Sequence, residues 1–133
     1  MNKILDIARD FLIEQLDPVF IIAFGSIVKE TNHPESDLDI AFYSKKTINN
    51  YDKFILSQKL TDLIKMEVDL VDINYASTVF KAQIFSTGKI LYSTDETLRR
   101  NIEMTSLSMY AKLNEYRKHI LDKAEERGSI YEK

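Results

Sequence analysis

Gly25-Ser26 and, ten residues further on, Asp37-Leu38-Asp39 are the parts of this 133-residue chain whose types and spacing suit chemistry. The apolar run from Val19 to Phe24 leads straight into Gly25. A strand that ends in Gly-Ser and turns into a short helix aims backbone N–H groups at one point, an anion site that the Ser26 hydroxyl completes. Phosphate is the natural occupant. In a strand, side chains two residues apart share a face at about 7 Å, so Asp37 and Asp39 converge while Leu38 and Ile40 turn into the core. Hard divalent cations prefer such oxygen ligands, and a pair of them about 3.5 to 4 Å apart holds phosphates while activating an attacking hydroxyl.

A third carboxylate on a neighbouring strand completes a site of this kind, binding the second metal ion and taking the proton of the acceptor hydroxyl. The segment Glu67-Val68-Asp69-Leu70-Val71-Asp72-Ile73 offers two. Asp69 and Asp72 lie on opposite faces by the period-two rule, so at most one of them reaches the site; Asp69 is preferred. Taken singly, a Gly-Ser turn, an Asp-x-Asp face or an acid near position 70 is commonplace. The order in which they occur, behind a fully apolar strand, is not.

The elements that must position these residues follow from periodicity. Residues 3 to 16 place Ile4, Ile7, Ala8, Phe11 and Leu12 on one helical face, and Asp17-Pro18 ends the pattern. Residues 19 to 24 read as a strand covered on both faces, and 37 to 43 as a half-buried strand. Residues 49 to 65 carry Leu56, Leu60, Leu63 and Ile64 at helical spacing, and 67 to 73 make a third strand. Tyr75 to Phe85 forms a helix packed through Val79, Phe80 and Ile84 and stopped near Gly88, before a short strand at 90 to 92. Residues 96 to 127 form a long amphipathic helix with Leu107, Tyr110, Leu113, Tyr116 and Ile120 along one side. The expected fold class is α/β, a small mixed β-sheet with flanking helices, in one domain over 1–133.

Composition narrows the classes. Apolar residues at 44% and charged residues at 29% suit a globular chain. Its 18 basic and 21 acidic residues leave a formal charge of -3, which recruits neither nucleic acid nor an anionic membrane, so no direct nucleic-acid binding is expected. The absence of cysteine excludes thiolate ligands and nucleophiles. No stretch is long enough to span a bilayer, which makes the cytoplasm the expected compartment.

The segment GSIVKETNHPESDLDIAF, from Gly25 to Phe42, resembles the signature of the DNA polymerase β nucleotidyltransferase superfamily, in its minimal nucleotidyltransferase (MNT) branch: Gly-Ser, ten or so residues, then Asp-x-Asp. The likeness runs on through the Asp69 strand and Gly88-Lys89-Ile90-Leu91-Tyr92, so it covers residues 19 to 92. Val28 and Glu30 depart from the Gly-Ser-x-Ala-x-Gly pattern common in members. The resemblance implies a polymerase-β-like fold, ATP as nucleotide donor and two magnesium ions. It implies Gly25 and Ser26 against the phosphates, and Asp37, Asp39 and Asp69 as metal ligands and catalytic carboxylates. Many MNT proteins are similar to antitoxins that transfer AMP onto a tyrosine of a HEPN-domain ribonuclease toxin and so silence it. The implied partner is a cognate HEPN toxin in a hetero-oligomer.

Two other classes stay open at this level. A non-catalytic antitoxin would neutralise its partner by contact, for which the 96–127 stripe is suited, and a nucleotidyltransferase acting on a small-molecule alcohol would need no protein acceptor. The chain is not itself the ribonuclease: Arg117 and His119 are separated by a single residue, whereas the HEPN motif requires four to six between them. Lys29, Lys45, His33 and the tyrosines at 43, 75 and 92 are left outside the catalytic set.

Overall fold

The computed structural model describes residues 2–25 and 37–127. Nine elements follow one another: α1 (Asn2–Leu16), β1 (Phe20–Phe24), β2 (Leu38–Tyr43), α2 (Asn50–Ile64), β3 (Val68–Asp72), a 3-10 turn (Ile73–Tyr75), α3 (Thr78–Thr87), β4 (Lys89–Ser93) and α4 (Glu96–Arg127). The four strands form one mixed sheet in the order β3-β2-β1-β4. β1 runs antiparallel to both β2 and β4, and β2 pairs with β3 in parallel. Parallel neighbours need a crossover, and α2 supplies it. The α/β class and mixed sheet read from the sequence are what the chain adopts.

Local chemistry explains most boundaries. After α1, Asp17 takes a positive φ of 46° ahead of Pro18, so the chain reverses before β1. Asn49 caps α2 by accepting from the Asp52 N–H at 2.8 Å, and Lys65 closes it in the left-handed conformation. Ser77 caps α3 through the Phe80 N–H at 3.1 Å. Gly88 ends α3 for a steric reason: a Cβ there would collide with the Ile22 side chain and the Ile84 carbonyl oxygen, so only glycine lets this corner press onto β1.

The sheet is covered on both faces. On one side Ile21 and Ala23 of β1, Leu38, Ile40 and Phe42 of β2, and Val68 and Leu70 of β3 pack with Leu5, Ala8 and Leu12 of α1 and Leu56, Leu60 and Ile64 of α2. On the other side Phe20, Ile22, Phe24 and Ala41 pack with Ile73 and Ile84, flanked by Phe80, Phe85 and Ile102. This second layer corrects the half-buried reading of β2. Ala41 is fully buried, because α3 and α4 close over a face whose sequence, Asp-x-Ala-x-Tyr, gives no sign of cover.

Side-chain assignments within helices shift by single positions. Leu5, not Ile7, is the buried contact of α1, and Leu63 and Val79 are exposed although each sits at helical spacing. Long apolar runs offer two adjacent stripes, and the neighbouring element selects between them. No helix among the described residues is long and apolar enough to cross a membrane.

Candidate active site

The two adjoining strands put the chemistry-bearing residues at one end of the sheet. In the β1–β2 register Phe24 lies opposite Asp39, and in the β2–β3 register Asp39 lies opposite Asp69. Asp39 shares its face with Ala41 and Tyr43, and Asp69 shares its face with Val71, so both side chains rise on the α3/α4 side from neighbouring strands whose backbones lie about 4.8 Å apart. Asp37 immediately precedes β2 and is exposed. Phe24 is braced by an edge-on contact with Phe80, ring centroids 5.6 Å apart.

Gly25 follows with a φ of 82°, in the left-handed region that glycine adopts without strain. A Cβ at this position would overlap the Asp39 carboxylate. The backbone therefore passes directly against that carboxylate, and only glycine permits it. Ser26, the other half of the expected phosphate cradle, lies outside the described residues, as do Val28, Lys29, Glu30 and His33.

Electrostatics single out Asp39. Its pKa is pushed up from 3.8 to about 6, first by burial, then by the negative charges of Asp69 and Asp37. The ion pairs among the described residues involve Arg9 and Arg99, on α1 and α4, and none reaches this end of the sheet. Like charges thus face one another with no ion pair among the described residues to offset them, an arrangement characteristic of sites that receive positive charge from a ligand. Among the described residues, no three acidic or histidine side chains are gathered into a ready metal cage. The donors present still fit magnesium, which usually binds through one or two carboxylates together with substrate phosphates.

Asp72 is separated from this group. It is 4% exposed at the opposite end of β3, where its Oδ1 accepts the Asn74 N–H at 3.0 Å and caps the 3-10 turn. Asn74 in turn donates to the Ser44 carbonyl at 3.0 Å. Of the two acids on β3, Asp69 is the one brought beside Asp39.

The profile of the Polymerase beta, Nucleotidyltransferase family matches residues 6–97, more than half of the chain. The chain belongs to this family. A curated relative, the protein adenylyltransferase MntA of Shewanella oneidensis, is 37% identical over 91% of this chain and 84% of its own length. A toxin–antitoxin crystal structure with AMP-PNP superposes with a TM-score of 0.81 at 32% identity, covering 90% of this chain and 97% of that one. The tri-AMPylated Shewanella oneidensis HEPN toxin in complex with its MNT antitoxin gives a TM-score of 0.71 at 30% identity, over 90% and 98% of the two chains.

The remaining residues of this nucleotidyltransferase considered from sequence fall elsewhere. Lys45 lies past the other end of β2, in a groove with Lys46, Asp17 and Thr94. Tyr43 stacks on Phe20 at 5.3 Å, Tyr92 packs against the α1/α2 core, and Tyr75 is 70% exposed on the 3-10 turn. Sequence reasoning overlooked a groove beside Asp69, formed by Asn50, Lys53 and Phe54 of α2 with the outer strand β3. Nothing in the spacing of α2 marks Lys53. It lines the same groove as Asp69 only because α2 crosses back over the sheet.

Proposed function

We propose that this chain is a magnesium-dependent protein adenylyltransferase that moves AMP from ATP onto a tyrosine hydroxyl of a cognate HEPN ribonuclease toxin, and so acts as its antitoxin. The observation that carries the reading is the Asp39–Asp69 register pair beside Gly25, in a chain of this family. The named activity of the MntA relative and the AMPylated toxin of a structural neighbour support the choice of nucleotide and acceptor. The chain works as one nucleotidyltransferase domain over 1–133, in a hetero-oligomer with the toxin and in the cytoplasm, where ATP is abundant.

In this reading Gly25 and Ser26 hold the triphosphate, the glycine by leaving its N–H and the surrounding space open and the serine by its hydroxyl. Asp37 and Asp39 would hold magnesium, and Asp69 would complete the set from β3. When bound, magnesium would supply positive charge that offsets the phosphate oxygens and favours ionisation of the attacking hydroxyl. Asp69, exposed on the outer strand, accepts the tyrosine proton. The tyrosine oxygen attacks the α-phosphorus, the bond from that phosphorus to the bridging oxygen breaks, and pyrophosphate leaves. Asp39 gains most from the incoming cation, since its ionised form is otherwise disfavoured by burial and by two like charges.

Incubation of the purified chain with α-labelled ATP, magnesium and the cognate HEPN-domain protein tests this directly. Label appears on the toxin with the wild-type chain and not with Asp39→Asn. Full neutralisation of the toxin by Asp39→Asn in cells overturns the enzymatic reading in favour of inhibition by contact.

A further inference from the structure

The long helix α4 has two unlike halves. Ile102 and Ser106 pack beneath the sheet against the α3 side, and Ser106 is 6% exposed. The same face continues at alternating intervals of three and four through Met109, Leu113, Tyr116 and Ile120. Among the described residues little covers it there: Met109 is 53%, Tyr116 63% and Ile120 48% exposed, and Leu113 is partly buried. Spacing of four and three sustained over this length is the seam pattern by which one helix receives another. A pocket of about 300 Å³ opens where the seam leaves α3, lined among others by Tyr43, Ile73, Lys81, Ile102 and Met109. The seam therefore starts at a concavity able to take an anchoring side chain.

We infer that the outer half of α4, from Met109 to Ile120, is the surface on which the protein acceptor docks a helix, away from the reacting groups. The inference rests on the proposed protein-directed activity and names where its acceptor is held. Two observations choose this occupant over a second copy of the chain. The exposed seam is about 18 Å long and roughly 10 Å wide, near ~180 Å² per side, against about 800 Å² per partner in a standard stable complex. A partner confined to it would be held weakly, whereas an acceptor that also enters the acidic end of the sheet adds the missing contact. The second observation is charge. Lys112 and Arg117 flank the seam on its two sides and are exposed, and no ion pair among the described residues engages them. Two copies of the chain would bring these basic flanks together, while a helix with an apolar stripe and acidic edges complements them. Remote binding of this kind raises the local concentration of a protein acceptor without touching the chemistry.

The test uses the full chain and its cognate HEPN-domain protein, with binding measured by calorimetry and AMP transfer measured separately. The paired change Tyr116→Asp and Ile120→Asp is expected to weaken binding at least thirtyfold and to raise KM for the toxin rather than lower kcat. The pair Lys112→Glu and Arg117→Glu is expected to weaken binding about tenfold and flatten its salt dependence. All four positions are exposed, so thermal melts of the variants overlay the wild type. Wild-type affinity in the Tyr116/Ile120 variant, or no binding by the wild type, overturns the docking inference. So does a wild-type dimer in light scattering that the same variant dissociates. Tight binding that is lost in the seam variant, with no AMP transferred by the wild type, leaves the docking surface standing and removes the enzymatic reading instead.

Discussion

The two ends of strand β3 carry an aspartate each, three residues apart, and their surroundings could hardly differ more. At one end Asp69 stands exposed beside Asp39, and the pair repel each other with no ion pair among the described residues to relieve them. At the other end Asp72 is 4% exposed and spends its carboxylate on the Asn74 N–H, within a chain of contacts that reaches Ser44. One end is arranged at the expense of stability; the other is satisfied and holds the corner together. The difference shows that residue type does not mark function here. What marks it is an unmet electrostatic demand.

The largest expected effect breaks the reactive end outright. Asp39→Asn should lower kcat/KM for AMP transfer by about 10³-fold or more, as expected when a metal-holding carboxylate is lost. The same change should raise Tm by a few degrees, since it removes a charge that burial and neighbours disfavour, worth on the order of 1 kcal/mol after solvent screening. A variant with reduced activity and reduced Tm would contradict the contrast between the two ends.

Gly25→Ala comes next. The new methyl group meets the Asp39 carboxylate and a backbone held at a φ of 82°, so transfer should fall about 100-fold and stability by about 1–2 kcal/mol. Steady-state kinetics and a denaturant melt read the two effects.

Exchanging the acids of β3 sharpens the comparison further. Asp69→Asn should reduce turnover about 100-fold with little change in Tm, in keeping with loss of a proton acceptor. Asp72→Ala should cost about 1–3 kcal/mol through the unsatisfied Asn74 N–H, while leaving the activity of the folded fraction near that of the wild type. Equal losses of activity from both substitutions would erase the distinction.

The smallest effect is a pH dependence in the absence of divalent cations. The folded-state pKa of Asp39 is raised to about 6 from 3.8, so between these values the folded chain keeps a proton that the unfolded chain has released. Its contribution to stability is full below about pH 4, declines as pH rises to 6 and is flat above. After screening, the decline amounts to about 1 kcal/mol. Urea melts at pH 4.5 and 7 resolve it, and Asp39→Asn removes this component of the slope.

Much of this organisation was legible in the residues. The apolar run into Gly25, the alternation through Asp39 and the helical spacing of α4 each repeat one local rule often enough to be read without a structure. Misreadings occurred where two stripes competed or where cover came from afar. Ile7 and Leu63 sit at correct helical spacing yet face solvent, because Leu5 and Leu60 meet the sheet instead. The second face of β2 is buried by α3 and α4, which its own sequence does not announce. Lys53 enters the Asp69 groove through the path of α2 alone.

By itself, then, the sequence determined the family, the strand that presents Asp39, the apolar run that ends at Gly25 and the helical character of 96–127. These depend on backbone periodicity and on residue types within a few positions of one another. Only the tertiary structure decided that Asp69, rather than Asp72, stands with Asp39, because that follows from the parallel register of β2 and β3 and from the capping role that occupies Asp72. It also decided which half of α4 is core and which is left bare. A seam of constant spacing looks alike along its whole length, and the sheet and α3 extend under only part of it.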